Sequence, residues 1–370
     1  MYFFTPLAIN IFASGFSSTS FDLATSFTKI TAFSVFFLGA VFLLSGYLNL
    51  KNSFIIPGVI GIPYNILIIV SIILGFYINE DFLAIGFTFA SIIQFVILYY
   101  FSKKSGIRLK PNFNFKDKDF MQVIKLSIPI LIGFSINEIN TIIDKTLASQ
   151  IAIGGVSALS YASRLNQFVQ GIIVMSIATI MFPKISKLFE ESNISEFRKE
   201  ISGTFKFINY LIIPTCFFVI FNSQDIVKLL FGRGAFDNTA INITSSVLLF
   251  YSFGMIGIAY REILSRIFYS MKKSKTVAIN TSVGVIVNII LNYLLSRIMG
   301  LDGLALATSI SVSLTAILLF FQIPRKIRIY NKKTTFKSLV KISLATFLML
   351  CTYEVVLNID IFSSIDFNIF

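Results

Sequence analysis

The chain has 370 residues, 55% of them hydrophobic and 13% charged, with 42 Phe and no His or Trp. So much apolar surface excludes an ordinary soluble domain, and the lack of His excludes imidazole metal sites and His-based catalysis. A net charge of +13 would suit nucleic acid, but the basic residues fall in short loops between apolar runs, which is the pattern of membrane orientation.

Residues 2–14 are apolar and would reach about 20 Å as a helix, short of a hydrocarbon core of roughly 30 Å. Met1 leads into this run without a basic flank or a small-residue cleavage site, so no secretory signal is read and the chain is expected to start inside a span. Ten membrane-length segments follow, at 24–50, 55–77, 82–101, 119–149, 155–182, 205–231, 242–263, 275–297, 302–322 and 337–358. The expected fold is all-α and polytopic, with ten transmembrane helices and a partial one.

One alternate set of loops, around 51, 103–125, 184–206, 261–275 and 325–341, holds 25 of the 31 Lys and Arg residues. The positive-inside rule makes this set cytoplasmic and puts the tail after Leu357 outside. Cys216 and Cys351 lie within apolar spans and read as small apolar residues, with neither a disulfide nor a metal site implied.

A weak internal repeat runs at an offset of about 220 residues. Phe12-Ala-Ser-Gly15 resembles Phe231-Gly-Arg-Gly234, and Gly61-Ile-Pro-Tyr-Asn65-Ile66 resembles Gly284-Val-Ile-Val-Asn288-Ile289. The spans ending at 101 and 322 both run into basic segments. Kept order and spacing predict a two-lobed helical transporter with substrate bound between similar halves. The expected domains are an incomplete N-terminal lobe at 1–101, a basic cytoplasmic linker at 102–118 and a C-terminal lobe at 119–323. A cytoplasmic basic loop, an additional helix and an outer tail fill 324–370.

Ionisable residues inside apolar spans are expensive, and they mark candidate sites. Asn137, Asn140, Thr141 and Asp144 form one polar stripe at helical spacing, with Glu138 and Lys145 beside it. On the next helix Ser157, Ser160, Tyr161, Arg164 and Gln167 form another. Arg164 lies about 14 Å from the outer end, near mid-membrane. Its guanidinium can grip an anionic phosphate with two parallel hydrogen bonds or form a structural pair with Glu138 or Asp144. Asn288 and Asn292 share a helix face, and Thr308, Ser311 and Thr315 share the next. With Asp144 they are hard oxygen donors that suit Na⁺, and interhelical hydrogen bonding explains them equally well. Asp117-Lys118-Asp119 could bind a metal-nucleotide, as in a membrane glycosyltransferase, but reads first as a helix cap. Gly232-Arg-Gly234 reads as a turn.

The run from Ser135 to Ser149, Tyr161-Ala-Ser-Arg-Leu-Asn-Gln-Phe168 and Phe182-Pro-Lys-Ile-Ser-Lys187 resemble the MurJ (MviN) lipid II flippase family. So do Leu230-Phe-Gly-Arg-Gly-Ala-Phe-Asp237, Arg261-Glu-Ile-Leu-Ser-Arg-Ile-Phe-Tyr-Ser270 and Gly303-Leu-Ala-Leu-Ala-Thr-Ser309. The resemblance implies a bacterial plasma-membrane flippase with fourteen helices in two lobes. Such a flippase moves undecaprenyl-pyrophosphate-linked peptidoglycan precursor (lipid II) outward by alternating access, with membrane lipids as its surroundings. It places Arg164 on a cavity arginine of the second lobe, with Glu138, Tyr161 and Gln167 as companion substrate-binding residues. It also puts Asp144, Asn288, Asn292, Thr308 and the carbonyl of Leu304 where some relatives bind sodium, although an acid is often expected near Asn292.

Aligned this way, residue 1 falls within the family's third helix and the last helix is absent. An upstream segment is therefore expected to complete the protein, and the chain alone is expected not to flip lipid. The rival readings are an exporter of another lipid-linked polysaccharide precursor or of a drug, and a non-functional fragment.

Overall fold

In the computed structural model of the chain, residues 4–107, 117–324, 327 and 332–358 are described. Much of the basic linker, most of 325–331 and the outer tail lie outside the described residues, as does the side chain of Asn137. Every regular element among the described residues is helical.

The chain divides into two compact units, Met1–Pro129 and Ile130–Phe370. The first unit contains α1 (Thr5–Phe12), α2 (Ser18–Thr31), α3 (Ser34–Leu50), α4 (Ile55–Val59), α5 (Gly61–Tyr77) and α6 (Asp81–Lys104). Ser17 caps α2 through its hydroxyl, and Lys103 and Lys104 end α6 where its carbonyls carry partial negative charge. Val41, Leu44, Leu48, Ile60 and Leu98 form the buried centre. A Cβ on Gly86 would lie 2.0 Å from that of Ser71, so small residues let α5 and α6 approach closely. Phe36, Phe42 and Phe76 are exposed, as lipid-facing residues are.

Most of α7 (Lys118–Ile151) belongs to the second unit. Asp117 accepts the Phe120 N–H at 3.1 Å, so the acidic triplet begins with a helix cap. After a turn made by Gly154 at φ +76°, α8 (Gly155–Val169) runs through a π-helical turn at Gln170–Met175 into α9 (Ser176–Glu190). Next come α10 (Ile194–Phe221), α11 (Ser223–Phe231), α12 (Asn238–Ser252), α13 (Met255–Ser270), α14 (Ser274–Met299), α15 (Leu301–Phe321) and α16 (Lys332–Asn358).

Large residues such as Phe197, Ile208, Leu248, Ile263 and Phe268 fill one continuous core. The glycines of α13, of its cap and of α14 sit against α15. A Cβ on Gly254 would meet Ser309 at 2.7 Å, on Gly257 would meet Ser313 at 2.4 Å, and on Gly284 would meet Thr315 at 2.1 Å. These close crossings bring α13 and α14 against the small polar residues of α15.

Six helices among the described residues are long and apolar enough to cross a membrane, and eight if each bent pair is one span. The segments read at 119–149 and 337–358 are helical as α7 and α16. The 24–50 segment is not one straight helix, because α2 and α3 meet at 43°, and α12 and α13 likewise meet at 45°.

A polar cavity in the second unit

Helices α7, α8, α12, α13, α14 and α15 line an open cavity of about 710 Å³. Helical spacing on α8 delivers Ser160, Ser163, Arg164 and Gln167 to its wall, and the π turn adds Gln170, whose Nε2 donates to Asn166 Oδ1 at 3.0 Å. Gln167 Nε2 donates to Ser163 Oγ at 3.1 Å. From α7 come Asn140, Thr141, Asp144 and Lys145, and from α13 comes Arg261.

The wall therefore carries three cations, Lys145, Arg164 and Arg261, against one carboxylate, Asp144. No salt bridge joins any of the three to a carboxylate among the described residues. Glu262, the acid beside Arg261, is taken by Arg266 one turn on, at 2.9 Å, with that guanidinium also over the Phe182 ring. Sequence reasoning placed Arg261 among loop cations, but α13 runs to Ser270 and carries it into the cavity wall. The Glu262–Arg266 spacing was the available signal, since an i, i+4 pair leaves Arg261 on another face.

Deeper in the same unit a hydrogen-bonded chain crosses three helices. Asn292 Nδ2 donates both to Asp144 Oδ1 and to Asn288 Oδ1, the latter at 3.0 Å. Asn288 Nδ2 donates to Thr308 Oγ1 at 3.3 Å, and Thr308 donates to the Leu304 carbonyl at 3.1 Å. Asn288 and Asn292 are buried, and Asn292 Oδ1 has no partner. The amide nitrogen thus sits between two oxygens, where a cation would also be held. A half-turn of this amide would present its unpartnered oxygen to the same space.

The five residues of the sodium expectation are thus joined in one network, and their oxygens with a single carboxylate fit a monovalent cation. No group of three His, Cys, Asp or Glu is found among the described residues.

Of the remaining expected site residues, Glu138 has an exposed side chain on α7 and lines neither this cavity nor a second one. Tyr161 lines that second cavity, of about 770 Å³, where its ring meets Phe231 and Phe236.

Residues 1–365 match the family model described as lipid II flippase MurJ. A probable lipid II flippase MurJ of Vibrio cholerae is 28% identical over 312 residues, which are 83% of this chain and 59% of that protein. One from Thermotoga maritima is 27% identical over 342 residues, covering 92% and 67%. The chain spans only 54–62% of the length of the first four curated relatives it matches.

Among solved structures, a lipid II flippase MurJ in an inward closed conformation superposes with TM-score 0.83 at 29% identity, covering 96% of this chain and 73% of that one. An inward-facing multidrug resistance MATE family transporter of the MOP superfamily shares the fold at TM-score 0.70 and 14% identity, covering 86% and 74%. With its match running through nearly every residue and its helices superposing on a solved member, the chain belongs to the MurJ lipid II flippase family and is a multi-pass protein of the bacterial inner membrane.

Proposed function

We propose that this chain contributes a substrate cavity to the flippase reaction, in which undecaprenyl-pyrophosphate-linked peptidoglycan precursor moves outward by alternating access, with the diphosphate held in the 710 Å³ cavity. The carrying observation is the excess of Lys145, Arg164 and Arg261 over Asp144 in a cavity whose walls are membrane helices. Like charges gathered on one wall repel one another, and an anionic ligand offsets that repulsion. Arg164 and Arg261 each present a planar fork that matches phosphate oxygens, and Lys145 adds a point charge. Gln167 and Gln170 supply neutral donors beside them. The same excess disfavours export of a cationic drug, the reading closest to the more distant structural relatives.

Asp144, Asn288, Asn292, Thr308 and the Leu304 carbonyl make up a sodium site in this reading, supported by the buried, unpartnered Asn292 Oδ1. When bound, the ion would neutralise Asp144 and tie α7 to α14 and α15.

Binding of lipid II to the detergent-solubilised chain, compared with the same headgroup on a neutral lipid anchor lacking diphosphate, tests the proposal. Arg164→Ala should weaken lipid II binding by about tenfold or more, as expected for losing a charge-assisted hydrogen-bond pair to phosphate. Arg164→Lys should recover only part, because the fork is lost. Equal binding of both lipids, or an Arg164→Ala protein that binds lipid II like wild type, would refute it.

A further inference from the structure

The second cavity lies where α8 begins and is lined also by the loop between α11 and α12. The charge pattern of the loops puts this end of the helices outside. Its exposed lining residues are of two kinds. Ile153, fully exposed, and Leu230 offer apolar surface, while Arg233, Asp237 and Thr239 offer polar groups. Leu229, next to Leu230 on α11, is exposed as well. Tyr161, Phe231 and Phe236 form a three-ring corner of the lining, with centroids 4.8, 5.4 and 5.9 Å apart and Tyr161 nearly perpendicular to Phe236.

Arg233 and Asp237 are the two charged residues of this lining. No salt bridge joins them to each other or to another group among the described residues. Basic residues are scarce in the outer loops, so membrane orientation does not account for Arg233 at this place. Asp237 Oδ1 caps α12 by accepting the Ala240 N–H at 2.8 Å, which fixes the carboxylate. A cation and an anion set four positions apart in one pocket, without neutralising each other, suit a ligand that carries both signs. A purely anionic ligand would meet Arg233 and be repelled by Asp237, and a simple amine would meet the reverse.

We propose that this pocket binds the headgroup of a zwitterionic phospholipid of the outer leaflet, one whose phosphate is linked through two carbons to a primary ammonium, as in phosphatidylethanolamine. The phosphate faces the Arg233 fork. The ammonium lies against the rings, whose faces attract a cation, and donates to the Asp237 carboxylate. Ile153, Leu229 and Leu230 then meet the first part of the acyl chains, which gives the apolar side of the mouth a use that a soluble zwitterion would not make of it. This site stands apart from the flippase reading and shares no residue with the polar cavity. Tyr161 belongs to α8, Phe231 ends α11 and Asp237 caps α12, so a seated headgroup ties the outer parts of three helices together.

The chain has no Trp, so Phe236→Trp gives a single fluorophore in the pocket while keeping a ring there. In detergent, dihexanoyl phosphatidylethanolamine should shift its emission saturably. Dihexanoyl phosphatidylglycerol has the same chains and phosphate but no ammonium, and it should need about tenfold more for half-saturation, the worth of one charge-assisted hydrogen bond. Asp237→Asn, which keeps a helix-capping side chain, should abolish that preference by weakening only the ethanolamine lipid, whereas Arg233→Gln should weaken both. Phe231→Trp repeats the titrations from a second position, so that a folding defect in one variant does not decide the result.

A response linear in lipid, equal half-saturation for the two lipids, or an unchanged preference in Asp237→Asn would overturn the site. Half-saturation by chain-free glycerophosphoethanolamine at the concentration that suffices for the lipid would overturn the lipid assignment, because the apolar side of the mouth would then contribute nothing.

Discussion

Between Ser18 and Lys104 a bent helix pair is followed by α5 and α6, and between Asn238 and Phe321 the same order returns about 220 residues later. The bends are 43° and 45°. Ser26 donates to Asp81 at 3.4 Å in the first copy, and Ser246 donates to Asp302 at 2.6 Å in the second. Thr88 bonds to the Ala84 carbonyl as Thr308 bonds to that of Leu304, both at 3.1 Å. The repeat read from short motifs is therefore a repeat of backbone breaks and interhelical clamps.

Its chemistry is not repeated. Asn65, which matches Asn288 in the motif, is exposed, while Asn288 is buried and joined through Asn292 to Asp144 of α7. The comparison teaches that one frame can be used twice, while a buried polar network exists only where further helices bring it partners. In the second copy that partner comes from α7, through Asp144.

The largest way to break this comparison is to change the asparagines. Asn292→Leu removes the donor shared by Asp144 and Asn288, leaving two buried acceptors unpaired at roughly 1–3 kcal/mol each. It should lower stability in detergent by about 3 kcal/mol, whereas Asn65→Leu should stay within about 0.5 kcal/mol. Similar thermal shifts for the two would mean that the frame, and not the network, sets the stability of both copies.

A gain of charge sharpens the same point. Asn292→Asp places a second carboxylate beside Asp144, which should destabilise the protein in potassium and make its melting temperature strongly dependent on sodium by mass action. The sodium concentration for half the effect should fall at least about tenfold relative to wild type, equivalent to about 1.4 kcal/mol. Asp144→Asn should remove the sodium response. Identical behaviour of all three proteins in sodium and potassium would eliminate the ion site.

Much of this frame was legible in the sequence, because a run of about 20 apolar residues has few alternatives to a spanning helix. The breaks were not. The bend at Ala32–Phe33 lies between Thr31 and Ser34 with no Pro or Gly to announce it, and both hydroxyls donate to carbonyls of the preceding turn, at 2.8 and 2.6 Å. The early start of α10 could have been read, since Asn193 and Glu196 have capping-box spacing and the Asn193 side chain does accept the Glu196 N–H at 3.2 Å. At the site, Arg164 stood out as a charge inside an apolar span. Arg261 did not, because it sits close to a basic loop and only the full length of α13 shows that it faces inward. The Ser–Asp clamps were invisible because their partners are 55 and 56 residues apart on separate helices, with no local pattern to join them.

Those clamps supply the smallest predicted effect and the finest test of the repeat. At 2.6 Å the Ser246–Asp302 bond has the length of a charge-assisted hydroxyl–carboxylate pair, and Ser246→Ala should cost about 1.5 kcal/mol. At 3.4 Å the Ser26–Asp81 bond is long for its type, so Ser26→Ala should cost about 0.5 kcal/mol or less. A double-mutant cycle with Asp302→Asn in one copy and Asp81→Asn in the other isolates each pairwise coupling from the loss of the side chain itself. Coupling should be clear in the second copy and near the limit of measurement in the first. This ordering follows from use: in the second copy the clamp fixes α12 against α15, and α15 carries Thr308 and the Leu304 carbonyl to the buried network. In the first copy the same contact positions no such network. Equal coupling in both copies would show that the clamp belongs to the frame alone and contributes nothing particular to the site.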